Sequence, residues 1–166
     1  MKSIYTVKNI KILDHDRGTH YTATIYRDGK KIGTVEEEGR GGCSDFEYNS
    51  EADEKAMKDY CVDVLGMDKE YPENDSLFIE TLVFDADLNK ILKRRCKKKT
   101  LFSLKSKGDG EFFSLNMVFT EQIRKALIEK HGDDIGEFAN DRFLTKEPYV
   151  ITVDFIRKQV NKDLNG

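Results

Sequence analysis

The sequence predicts an α+β fold, a largely antiparallel sheet built from hairpins and packed with three to four helices. Three observations carry this expectation. Residues 4–35 are rich in β-formers and are interrupted by the turn pair Asp28-Gly29. Helical periodicity then begins near 51 and again near 76, each time with a recognisable stop. Further on, strand-like runs at 100–106 and 111–117 occur as a pair rather than alternating singly with helices, which argues against a doubly wound parallel sheet.

Each element follows from its residues. The run 4–13 (IYTVKNIKIL) alternates loosely, as a first strand would. In 19–27, Tyr21, Ala23 and Ile25 alternate against Thr22, Thr24 and Tyr26. Asp28-Gly29 then leads into KKIGTV at 30–35. A type I′ turn needs positive φ at both central residues, which this pair tolerates, so a tight hairpin is expected. After the triplet Glu36–Glu38 and a glycine-rich loop, a helix is expected over 51–65. Asn49 or Ser50 caps it, and Glu51, Asp53 and Glu54 suit the positive end of its dipole. Ala52, Ala56, Tyr60 and Val64 form one row of it, beside Met57, Cys61 and Leu65, and Gly66 suits the left-handed stop.

A connector at 66–74 contains Pro72, and a longer helix is expected over 76–97. Its apolar face runs from Ile79, Leu82, Val83, Ala86 and Leu88 to Ile91 and Leu92. A second hairpin follows, with its turn at Lys107–Gly110. Thr120 starts a third helix bearing Ile123, Ala126, Leu127 and Ile128, and Gly132 ends it. Residues 135–140 read as a short edge strand. In 148–164, VITV favours a strand, but Tyr149, Val153, Ile156, Val160 and Leu164 keep helical spacing and Pro148 suits a first helical position. A helix is expected there.

With 166 residues, one domain over 1–166 is expected, and 66–75 is the place for any subdivision. Twelve Ile, 12 Leu, 9 Val and 10 Phe suffice for a core, while charged residues at 36% exceed the usual share and belong on the surface. The opening MKSIYTVKNIKIL lacks the uninterrupted apolar stretch of a signal peptide, and no run is long enough to span a bilayer. Cys43, Cys61 and Cys96 form neither a disulfide framework nor a C-x-x-C pair. Reduced thiols in a cytoplasm are therefore expected, with no membrane partner and no cofactor. Charge is unevenly placed: 36–87 holds 17 acidic and 4 basic residues, whereas 90–107 holds nine basic residues and no acidic one.

Two stretches carry a resemblance, DGKKIGTVEEEGRGGCSDFEY at 28–48 and TLFSLKSKGDGEFFSLNMVFTEQIRKALIEKHGDD at 100–134. Together, roughly 55 of the 166 residues, they resemble small uncharacterised proteins of bacteriophages and prophages. In those, a D-G-K-x-x-G-x-V hairpin precedes a G-x-G-G-C loop, and two later strands precede a helix with a K-x-G-type stop. The resemblance implies a phage accessory gene acting in the host-cell cytoplasm, and no activity comes with it.

Several patterns bear on chemistry. In the loop Gly39, Arg40, Gly41, Gly42, Cys43 and Ser44, glycines allow main-chain N–H groups to approach an anion, and Arg40 adds a forked donor. The loop lacks the Lys-Ser/Thr of a P-loop and is not a dinucleotide fingerprint, so a plain turn is the competing reading. The run Lys93, Arg94, Arg95, Lys97, Lys98 and Lys99 suits nucleic-acid phosphates, with Phe102 behind it for stacking. It equally suits the negative end of a helix. The acidic stretch 36–87 either mimics nucleic acid or is a solvated face. His15, His20 and His131 are dispersed and show no metal spacing, and Cys43 as a nucleophile lacks an identifiable base.

The residues thus name no catalytic set and no metal site. A non-enzymatic phage-type accessory protein that binds and modulates or inhibits a host macromolecule, such as a defence effector or nuclease, is the first expectation. A nucleotide or anion held by Gly39–Ser44 is the second, nucleic acid on 90–107 the third, and an enzyme the last. The sequence leaves the oligomeric state open.

Overall fold

A computed structural model describes residues 2–16, 18–40, 43–108, 111–144 and 151–164. Asp109, Gly110, Pro148 and Tyr149 from the sequence reading lie outside the described residues. The chain forms two compact units, Met1–Asp87 with Val150–Gly166, and Leu88–Tyr149. The connector 66–75 lies inside the first. The α+β expectation holds: among the described residues one four-stranded and one three-stranded antiparallel sheet accompany five α-helices. The fifth helix beyond the expected three to four is a single turn, described below.

The first unit is built on a meander of β1 (Tyr5–His15), β2 (Gly18–Arg27), β3 (Lys30–Glu37) and β4 (Asp45–Tyr48). Between β2 and β3, Asp28 and Gly29 take φ of 48° and 79°, the type I′ turn that the pair predicts. The loose alternation of β1 has a structural cause. Lys8 pairs with Thr24 but Lys11 with Thr22, so Asn9 and Ile10 form a bulge in which Asn9 has φ of 55°. The bulge changes the phase, so that Tyr5 and Val7 before it, and Ile10 and Ile12 after it, reach one core. A second irregularity, beside Ile32, brings both Ile32 and Val35 of β3 into that core.

β4 is not among the elements that the sequence predicts. Its Phe46 and Tyr48 alternate with Asp45 and Glu47, and their rings stack on each other at 5.3 Å while packing against the core. Four residues are too few for period alone to announce a strand, and pairing with β3 decides it.

Helices cover the inner face of this sheet. Ser50 caps α1 (Glu51–Asp63) by accepting from the Asp53 N–H at 3.2 Å, and Gly66 stops it at φ 73°. The next helix, α2 (Asn74–Cys96), starts in this unit and sends Phe78, Ile79, Leu82 and Val83 into the core. The C-terminal segment resolves the strand-or-helix ambiguity with both. Thr152 bridges to Lys2, then accepts from the Phe155 N–H at 3.3 Å as the helix Val153–Leu164 begins. Its Val153, Ile156 and Val160 are buried in the same core.

In the second unit, β5 (Thr100–Leu104) lies between β6 (Phe113–Leu115) and β7 (Ile135–Phe138). The edge strand expected at 135–140 is β7. The strand expected to run to 106 ends at Leu104, where Lys105–Lys107 tighten into a 3₁₀ turn. Thr120 caps α3 (Glu121–His131) through the Ile123 N–H, and a one-turn helix, α4 (Asp141–Leu144), precedes the return to the first unit. The C-terminal helix Val153–Leu164 is thus α5. Asn140, 3% exposed, organises this unit. Its oxygen accepts from the Leu101 N–H at 2.8 Å, and its amide donates to the carbonyls of Cys96 and Lys99 at 3.3 and 2.9 Å.

Two stability predictions follow from these contacts. Gly29→Val should cost about 1–2 kcal/mol, because the site is sterically open and only the left-handed backbone resists. An unchanged melting temperature would refute the turn. Asn140→Ala leaves a buried N–H and two carbonyls without their partner, so chemical denaturation should show a loss of about 2–3 kcal/mol or more. A neutral result would remove Asn140 from that role.

Candidate functional site

A cleft of about 370 Å³ opens in the first unit. Five segments build it. The start of β2 brings Gly18, Thr19 and Tyr21, and the end of β3 brings Glu37. The loop after β3 adds Gly39, Cys43 and Ser44. Across from them, Ser76, Glu80 and Phe84 form an i, i+4, i+8 row on α2, which puts all three side chains on one helical face. Tyr71 and Glu73 complete it from the connector.

The polar groups are joined. Tyr21, 1% exposed, keeps its ring in the core while its hydroxyl lies 3.1 Å from the Ser44 hydroxyl. Ser44 donates to one Glu37 oxygen at 3.2 Å, and the Gly39 N–H donates to the other at 3.0 Å. The Cys43 thiol donates to Glu73 at 2.7 Å. That bond and the Glu73 charge hold the thiol's pKa above its ordinary value, the opposite of what a nucleophilic cysteine needs. Burial, offset in part by Ser44, pushes the Tyr21 phenol up to about 12. Phe84 and Tyr71 are exposed at the cleft, and the Phe84 ring meets Tyr21 edge-on at 6.2 Å.

The loop singled out from the sequence therefore contributes Gly39, Cys43 and Ser44 to the cleft, while Gly41 and Gly42 lie outside the described residues. Arg40 does not line it: its side chain is 74% exposed and lies 3.5 Å from Glu38. Gly39 has an intrachain reason to be glycine. With φ of 69°, a Cβ there would sit 2.8 Å from the His20 nitrogen, and one at Gly18 would sit 2.5 Å from the Gly39 oxygen. With the Gly39 N–H already bonded to Glu37 and Glu37, Glu73 and Glu80 around the space, these walls attract positive rather than negative charge.

Other candidates fall elsewhere. Lys93, Arg94 and Arg95 lie at the end of α2 and Lys97, Lys98 and Lys99 just beyond it, all in the second unit. The expected stacking partner Phe102 is 7% exposed and belongs to a core cluster with Leu104, Leu127 and Phe138, so it is not a stacking surface. A strand residue of even spacing beside Leu104 points inward, which the basic run concealed. His20 lies 3.3 Å from Glu36, and the His131 ring packs at 5.7 Å from that of Phe102. Among the described residues no group of three or more His, Cys, Asp or Glu is placed to hold a metal ion, and no helix is long and apolar enough to cross a membrane.

Sequence reasoning missed Tyr21, Glu37, Tyr71, Glu73, Glu80 and Phe84 as site residues. Only the Glu80–Phe84 spacing signalled a shared face, and nothing local says what that face meets.

The thiol geometry gives a signed prediction. Glu73→Gln removes the charge that disfavours the Cys43 thiolate, so its pKa falls and iodoacetamide should alkylate it faster at pH 8. Cys61, buried and pushed up to about 12 by burial, serves as the unreactive internal reference. An unchanged Cys43 rate would break the Cys43–Glu73 contact. Set against known proteins, the chain matches no family model, and no curated protein or solved structure shows a significant match to it.

Proposed function

We propose that the chain is a non-enzymatic binding protein of the phage accessory type, which engages and modulates a host protein such as a defence effector or nuclease. The observation that carries this reading is the cleft. Three glutamates beside the exposed rings of Tyr71 and Phe84 suit a guanidinium or ammonium group, which gains from both carboxylates and aromatic faces. A lysine or arginine presented by a protein partner supplies such a group.

Charge distribution supports the same partner. The first unit carries 14 basic and 22 acidic residues, a net of −8. An excess of that size steers a basic surface toward it and raises the rate of encounter. A nuclease groove is basic because it binds a polyanion. Glu73 holds Cys43 as the thiol, against the needs of a nucleophile, which favours binding over catalysis at the cleft.

The test is affinity capture from a bacterial lysate, followed by titration of the captured partner against two variants. Glu80→Gln with Phe84→Ala should weaken binding at least about tenfold, the range of a lost anchoring contact. Arg40→Ala, on an exposed side chain, should leave the melting temperature unchanged and reports whether the loop rim is touched. Equal binding by the double variant would sink the cleft as the contact. A nucleotide that copurifies instead would replace this reading with small-ligand binding by the loop.

A further inference from the structure

The sequence allows two roles for the cations near residue 95, neutralising a helix end or contacting phosphates. The structure separates them. In the second unit Lys90, Lys93, Arg94, Arg95, Lys97 and Lys98 are exposed, and Lys99 is half-buried. Among the described residues none of these seven is in an ion pair. Their abundance is therefore not spent on local carboxylates. Nor is it needed at the helix end, where Asn140 already donates to the Cys96 and Lys99 carbonyls. A helix terminus attracts roughly half a unit of opposite charge, far less than seven cations.

Their arrangement is directional. Leu92 is 2% exposed and, with Cys96, packs in a cluster with Leu101 and Ala139, which fixes the inward side of this part of α2. At about 100° per residue, Lys90, Lys93 and Arg94 fall on the opposite side, within an arc of about 100°, and Lys97 continues it. This ridge contains no apolar side chain. Of the exposed apolar residues of the segment, Ile91 borders it beside Arg94, while Leu88 stands next to Leu92. A bilayer-binding face would place its apolar groups in the middle of the cationic one. Phe102, the ring that follows these cations in the sequence, is in the core and offers bases no stacking surface.

We propose that this ridge docks the phosphate backbone of duplex nucleic acid, without reading its sequence. A duplex presents one charge per about 1.7 Å of its axis, dense enough to meet several ridge cations at once, whereas an extended acidic peptide is sparser. Seven cations without an acidic interruption match the denser polyanion. The unit that carries them is positive overall, with 14 basic and 9 acidic residues. This proposal concerns the second unit and stands independently of the cleft in the first.

The test uses the full chain and a short fluorescent DNA duplex of mixed sequence, with binding followed by anisotropy. About three phosphates should be neutralised, so affinity should be micromolar at about 50 mM salt and fall roughly 40-fold by about 200 mM. Lys93→Glu, Arg94→Glu and Lys97→Glu together should abolish binding while leaving the melting temperature near that of the wild type. The control Lys30→Glu with Lys31→Glu, on the exposed start of β3, should bind normally. Absence of binding at low salt, binding indifferent to salt, or a ridge variant that binds like the wild type would overturn the proposal. So would capture of the chain by phosphatidylserine vesicles in preference to the duplex.

Discussion

The first unit depends on one junction, the packing of Tyr5, Tyr60 and Phe78. These rings come from β1, α1 and α2, and their centroids lie 4.9, 5.8 and 5.6 Å apart pairwise. All three residues are under 10% exposed. Each ring buries enough apolar surface to contribute about 1.5–3 kcal/mol, and edge-on contacts add to that. Because one ring belongs to a strand and two to helices, the junction sets where helices lie on the sheet. Burial pushes the Tyr5 phenol up to about 12, so the junction stays uncharged across the neutral range. The bulge at Asn9 is what lets β1 supply Tyr5 and still turn Ile10 and Ile12 inward.

The cleft inherits its geometry from that packing. Phe78 and Phe84 lie on the same helix, so fixing the first against the sheet fixes the line on which Ser76, Glu80 and Phe84 stand. Tyr21 plays the matching part on β2, with its ring in the core and its hydroxyl at the rim. Gathering carboxylates around one space is unfavourable by their mutual repulsion. Donors from Gly39, Ser44 and Cys43 offset part of it, and an incoming cation would offset more. Three glutamates around one space make its walls complementary to positive charge.

The two units answer different electrostatic demands. Glu37 and Glu73 of the cleft accept from donors in their own neighbourhood, while among the described residues the seven cations of 90–99 are in no ion pair. Where the second unit uses arginine internally, it half-buries and pairs it. Arg124 lies over the rings of Phe119 and Phe138, each at 4.9 Å, and pairs with Asp141, and Arg142 pairs with Glu137 at 2.6 Å. Structural arginines and solvent-facing ones are thus distinguishable in the fold, although they look alike in the chain.

What the sequence determined by itself is what depends on near neighbours. The Asp28-Gly29 turn, the Ser50 and Thr120 caps and the glycine stops all rest on contacts within a few residues and were legible, as were the helices themselves, although Leu88 and Ile91 of the face expected on α2 and Ala126 and Ile128 of that expected on α3 are exposed. The α+β class was legible too, because hairpin-grouped strands need only local pairing. Tertiary structure decided the rest. It assigned β4 as a strand through pairing with β3, turned Phe102 inward, and gave the described part of the C-terminal segment a bridge at Thr152 before a helix. It also brought Tyr21, Cys43, Glu73 and Phe84, spread over more than sixty residues, around one cleft. A side chain's type reports its own preferences, whereas its neighbours across the fold are set by how the apolar faces pack.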